Sequence, residues 1–230
     1  MYYFLSLLLI VSSTIARAIP PSQNVLATTS FPIERARIPT IHESAVMARR
    51  ILRLENIGTL STTFPDHSSD SRRPESVDGK PFGLMDYFAD CEREGNPTVL
   101  AMPIASNFRN VAAGSNMTLS MRWHPPIDRP YSAAEMPRFA LIGYLEKIDA
   151  GIRESTRLGI CFAKAHPDSI IWMPGNRIHT SYWARMVVTE IYWLGGFGDR
   201  AYIGWIPVET FKGVTEEEIA KCKLPGEESD

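Results

Sequence analysis

Beyond residue 40 the apolar positions follow a helical rhythm. Ile41, Ala45, Val46, Ala48 and Leu52 fall at helical spacing, while Arg49, Arg50 and Arg53 read as a solvated face. Thr40-Ile41-His42-Glu43 is a capping box, so the helix begins there and runs to about Glu55. The rhythm then becomes that of strands. Ile57–Phe64 is β-branched and aromatic, which predicts a strand. Residues 65–79 hold almost nothing apolar except Val77 and read as a surface loop. Phe82–Ala89 predicts a strand, Glu92–Asn96 a hairpin turn through Gly95, and Thr98–Ile104 the partner strand. A short helix covers Asn107–Ala112, followed by strands at Met117–Trp123 and Phe139–Ile148. Ala150–Ala165 carries the marks of a helix in Ile152, Leu158, Cys161 and Phe162. Tyr182–Leu194 is a long strand and Ala201–Ile206 the last, with the acidic run after Thr215 suited to a helix N-terminus. About seven strands and two or three helices predict a mainly β chain with flanking helices, built as a closed antiparallel barrel.

The N-terminus sets an expected compartment. Tyr2–Val11 is apolar apart from Ser6, and Ala16-Arg17-Ala18 forms an A-x-A cleavage site. Residues 1–18 therefore read as a secretory signal peptide, too short for a transmembrane anchor. Residues 19–39 hold four prolines and read as an extended leader, residues 40–222 as one domain, and residues 223–230 as a flexible tail. The secretory route makes Asn116-Met117-Thr118 a usable glycosylation sequon. Cys91, Cys161 and Cys222 match no C-x-x-C pattern and allow at most one disulfide, whose pairing the sequence leaves open.

Composition narrows the chemistry. A net charge of −2 argues against a nucleic acid as main partner. There is no G-x-S-x-G, H-E-x-x-H, P-loop or G-x-G-x-x-G. Gly195-Gly196-Phe197-Gly198 lies between two strands and reads as a hairpin turn rather than a phosphate cradle. His42, His67, His124, His166 and His179 show no metal-ligand spacing, so no metal site is expected. Trp123, Trp172, Trp183, Trp193 and Trp205 read as barrel core or subunit interface.

From about Ile41 to Thr215 the order of features resembles the CREG family of secreted glycoproteins. The resemblance is carried by Ile57-Gly58-Thr59-Leu60-Ser61-Thr62, Gly79-Lys80-Pro81-Phe82, Gly95-Asn96-Pro97, and Asn110-Val111 followed by Thr118-Leu119-Ser120-Met121. Phe162-Ala163-Lys164-Ala165-His166-Pro167, Trp172, Tyr182-Trp183-Ala184-Arg185 and Ile191-Tyr192-Trp193-Leu194 complete it. That family is similar to flavin-binding proteins of the pyridoxamine-phosphate oxidase type. The resemblance implies a Greek-key split β-barrel of the FMN-binding type and a homodimer with barrels side by side. It implies a secreted, lysosomal or vacuolar glycoprotein without catalysis that acts through an unknown protein or receptor partner. The animal members carry a cysteine pair in the loop that here spans His124–Pro137, and this chain has none there.

A flavin-binding alternative turns on electrostatics. The FMN phosphate is a dianion that calls for cations or converging N–H donors. The flavin-binding relatives place Arg and Lys on the strand that here is Pro81–Asp90, and just before Asn110-Val111. Pro81–Asp90 has no Lys or Arg and carries Asp86 and Asp90, while Ser106 and Asn107 stand where further cations are expected. Only Arg109 remains, leaving Ser106 and Arg109 as a weak anion-site candidate. No catalytic residue and no cofactor are expected; an FMN-dependent oxidoreductase is the alternative, and a split-barrel binder of haem a third reading.

Overall fold

The computed structural model describes residues 37–67 and 73–227. The signal peptide and nearly all of the leader lie outside the described residues. In chain order the elements are α1 (Ile41–Leu54), β1 (Ile57–Thr63), a 3-10 turn (Glu75–Val77), β2 (Pro81–Tyr87), β3 (Thr98–Ala101), α2 (Ser106–Ala112) and β4 (Met117–Arg122). They continue with β5 (Arg138–Lys147), α3 (Ile152–Ala165), a second 3-10 turn (Pro167–Trp172), β6 (Tyr182–Leu194), β7 (Ile203–Ile206), α4 (Val208–Lys212) and α5 (Glu216–Lys221).

The seven strands form one antiparallel sheet in the order β2-β1-β4-β5-β6-β3, with β7 also on β6. The ends of the order meet just beyond β2. There Ala89 and Thr98 exchange both backbone hydrogen bonds at 2.9 Å. Strand β6 makes this possible by its length. Its first residues pair with β3 and its last with β7 along the same edge. Between them the Asn96 side chain accepts from the Val188 N–H at 3.0 Å, filling a gap in the ladder. Opposite, the β5–β6 register shifts between Ile142 and Gly143, with Thr189 of β6 the extra, unpaired residue of a bulge. A Cβ on Gly143 would stand 1.9 Å from the Val187 carbonyl oxygen, so only glycine fits there.

Two expectations are corrected here. β3 is not the hairpin partner of β2: apart from the Ala89–Thr98 bridge it pairs with β6. Residues 223–227 of the expected flexible tail are packed down. Leu224 is buried, Pro225 accepts from Trp123 Nε1 at 2.7 Å, and Glu227 pairs with Arg50 at 2.9 Å.

Helix α1 packs into the barrel core. Both halves of its capping box form: Glu43 N–H donates to Thr40 Oγ1 and Thr40 N–H to Glu43 Oε2. Ala45, Ala48, Ile51 and Leu52 pack with Leu60, Leu119, Leu141 and Trp193. The solvated-arginine reading fails for Arg49, which is fully buried. It donates to the carbonyls of Arg93 at 2.9 Å and Phe211 at 3.4 Å and lies over the Phe211 ring. Phe211 sits on α4, a helix the hydrophobic pattern did not mark.

A second, smaller core lies outside the barrel wall. Leu158 and Phe162 of α3 pack against Trp183 and Leu100. A disulfide joins Cys91 to Cys161 across 70 residues of sequence and ties α3 to the loop after β2. Cys222 is the remaining thiol, half-buried, with its pKa pushed up by burial.

Candidate functional site

Ser106 and Arg109 come from the first turn of α2, which follows Ala105, a residue with no side-chain cap. Arg109 Nη2 donates to Ser106 Oγ at 3.4 Å, and Arg109 is engaged by further protein groups as well. The neighbouring Asn107 and Asn110 are buried. Thr62 Oγ1 of β1 donates to Asn107 Oδ1 at 3.1 Å and accepts from Asn110 Nδ2 at 3.0 Å. This network docks α2 onto β1 and spends the polar groups that would otherwise face a ligand.

The strand that holds cations in flavin relatives holds acids here. Burial pushes the Asp86 carboxyl up. Burial also pushes Asp90 up, against the opposing pull of Arg53, whose Nε donates to Asp90 Oδ2 at 2.8 Å. Asp86 lies across from Gly58, four residues along β1 from Thr62, so a phosphate beside α2 would meet buried amides and a hydroxyl already bonded to one another, with no Lys or Arg supplied by β2. The residues do not fit the FMN phosphate at the place where relatives hold it.

A groove of about 760 Å³ lies on the outward side of the sheet. One cross-strand row runs Met85, Thr59, Ser120, Ala140, Tyr192, Trp205 over β2, β1, β4, β5, β6 and β7. Thr59, Ser120 and Ala140 make a low floor between Met85 and Tyr192. The next outward positions along β4 and β5 are Arg122 and Arg138, paired directly across the strands and both lining the groove. Among the described residues Glu55 is the one carboxylate in the lining, and both its oxygens are taken by His124: from the backbone N–H at 2.8 Å and Nδ1 at 2.9 Å. Arg122 Nε is 2.8 Å from His124 Nε2. An arginine N–H only donates, so Nε2 accepts and Nδ1 carries the proton toward Glu55. Nothing in the local sequence marked these residues, because they come from α1's exit, five strands and one loop.

A smaller groove of about 460 Å³ lies between the start of α1 and the end of α5, over Met47 and Cys222. His42 Nε2 and Glu218 Oε1 bridge its rim at 2.7 Å. Among the described residues no group of three or more His, Cys, Asp or Glu is placed to hold a metal ion. Asn116 is exposed on the residue before β4. Trp123, Trp183 and Trp193 are core, whereas Trp205 is 54% exposed at the edge of the outward row.

The family model described as "CREG, beta-barrel" matches residues 39–212. The chain belongs to the CREG family. No curated protein matches it. Among solved structures it is similar to a heme binding protein from Mycobacterium smegmatis, with TM-score 0.58 and 17% identity over 78% of this chain. The chain spans 63% of that protein's length. ChuZ of Campylobacter jejuni gives TM-score 0.53 at 10% identity, covering 75% of this chain and 65% of that one. Protein Atu2129 of Agrobacterium tumefaciens, of unknown function, gives TM-score 0.50 at 16% identity, covering 80% and 63%. At these identities the likeness shows the fold: this CREG chain is a split barrel, mainly β with flanking helices.

Proposed function

We propose that this CREG-family protein is a secreted, or lysosomal or vacuolar, glycosylated homodimer without catalysis, acting by binding other proteins. The observation that carries the reading is the spent end of the barrel. Thr62, Asn107 and Asn110 satisfy one another where flavin relatives hold a phosphate, and β2 brings no Lys or Arg there. The Cys91–Cys161 disulfide supports an oxidising compartment, and the exposed Asn116 supports a used sequon. Among the described residues no helix is long and apolar enough to cross a membrane. Met85 and Trp205, 77% and 54% exposed at the two edges of the outward row, support association with a second copy.

Three measurements on protein from a secretory host test this. The visible spectrum is expected to show no flavin band. A stoichiometric flavin band would replace the reading with an FMN-dependent oxidoreductase, and a haem band would replace it with a haem binder. Light scattering is expected to give twice the monomer mass, and a monomer at micromolar concentration would remove the dimer. Asn116→Gln is expected to remove one glycan-sized gel shift; an unchanged mobility would mean the sequon is idle.

A further inference from the structure

We infer that the groove over Thr59, Ser120 and Ala140 is a binding site for a small anion with a flat apolar body, its acidic group held between Arg122 and Arg138. The inference does not rest on the functional reading above. Three observations carry it.

The first is charge. Arg122 and Arg138 stand directly opposite each other on β4 and β5, an arrangement of like charges that destabilises a sheet. Among the described residues neither pairs with a carboxylate. Arg122 is instead positioned by the His124 ring, and Arg138 Nη1 donates to the Ala134 carbonyl at 3.2 Å. Both guanidinium groups are therefore oriented by neutral acceptors, and no carboxylate among the described residues neutralises either. The terminal amino groups of Arg122 stay available for a two-pronged contact with an acid.

The second is the arrangement behind the arginines. Glu55, only 12% exposed at its side chain, grips His124 with both oxygens. That fixes the imidazole so that its Nε2 faces Arg122. A carboxylate is spent on holding a ring that holds an arginine, rather than on the arginine itself. His124 and Glu55 act here as positioning residues.

The third is shape. The floor of short side chains lies between Met85 on one side and Tyr192 and Leu194 on the other. Its volume of about 760 Å³ falls in the range of small-molecule sites, roughly 300–1,000 Å³. A planar ring fits a low floor between two taller walls, with its acidic substituent reaching the arginines.

The test uses the mature protein and two fluorescent probes of one skeleton. 1-Anilinonaphthalene-8-sulfonate carries the acid and N-phenyl-1-naphthylamine lacks it. The wild-type protein is expected to bind the sulfonate at least about tenfold more tightly, the size of one charge-assisted contact. Arg122→Ala and Arg138→Ala are each expected to lose about tenfold for the sulfonate and to leave the uncharged probe unchanged. Ala140→Trp fills the floor with both arginines intact and is expected to abolish binding of both probes. Melting temperature and light-scattering mass are read on the same samples, so that loss of fold or of assembly is not mistaken for loss of the site. Equal affinity of the wild-type protein for the two probes would overturn the inference. So would full sulfonate affinity in the double arginine variant, or unchanged binding in Ala140→Trp.

Discussion

The two ends of the sheet's polar surface treat their donors in opposite ways. At α2, buried amides and a hydroxyl close on one another: Thr62, Asn107 and Asn110 form a network that ends within the protein. In the outward groove, Arg122 and Arg138 are aimed by a ring nitrogen and a carbonyl, and no carboxylate among the described residues compensates their charge. Polar groups satisfied by one another serve the fold, and cations held in place without an anion are open to a ligand. A family resemblance pointed to the first region as the place to look for a ligand, and the geometry points to the second. Substitutions at α2 should therefore cost stability, and substitutions in the groove should cost binding alone.

The largest effect sharpens the structural side of that contrast. Replacing Cys91 and Cys161 with serine is expected to destabilise the protein by about 2–5 kcal/mol, read from denaturant unfolding. A loss below about 0.5 kcal/mol would mean that the packing of α3 on Trp183 suffices alone. Thr62→Val comes next. It leaves Asn107 Oδ1 and Asn110 Nδ2 without their shared partner in a buried site, at about 1–3 kcal/mol for each unsatisfied group. A neutral outcome would mean that α2 is not locked and would reopen that end to a ligand.

The two capping boxes set a smaller, pH-dependent term. Glu43 and Glu218 are each held at about 2, below the ordinary 4.5, Glu43 chiefly by Arg37 and Glu218 chiefly by the Thr215 backbone N–H. A folded-state value below the unfolded one means stability present above pH 4.5 and lost as the pH falls toward 2. Asp90, pushed up by burial, works in the opposite sense and favours the folded state at lower pH. Thr40→Ala and Thr215→Ala are each expected to cost about 1 kcal/mol at neutral pH, and Glu43→Gln and Glu218→Gln, which remove the titrating groups, to flatten the acid limb of a stability–pH curve. An unchanged limb would place the acid sensitivity elsewhere. The smallest effect is on the other side of the contrast. Arg122→Ala and Arg138→Ala are expected to leave stability within about 0.5 kcal/mol of wild type. A larger loss would make the groove arginines structural, like the α2 network.

Local pattern carried much of the architecture. The aromatic and β-branched run at 182–194 is β6 to the residue, and Thr40 with Glu43 marks the start of α1. What it could not carry was partnership across the chain. A turn at Gly95 suggests a hairpin by short-range rules, yet β3 is drawn to β6 because the long strand offers an unpaired edge that Asn96 helps to fill. Arg49 was misplaced although a signal was there: Ala45, Ala48, Arg49 and Leu52 lie at the i, i+3, i+4, i+7 spacing of a buried stripe. Its burial becomes tolerable only through carbonyls 44 and 162 residues away. The disulfide likewise spans 70 residues, and no spacing rule selects Cys161 over Cys222. Ser106 and Arg109 share one turn of α2, but Thr62, which bonds their neighbours Asn107 and Asn110, comes from β1, more than forty residues earlier. The groove residues run from Glu55 to Leu194 and become a site only when the sheet aligns them.

We propose that the α2 end of this barrel serves the fold in place of a flavin phosphate. The most direct measurement is the visible absorption spectrum of the folded protein purified from a secretory host and dialysed. A colourless protein with no flavin band is expected. A flavin band that persists at one equivalent per chain would contradict it.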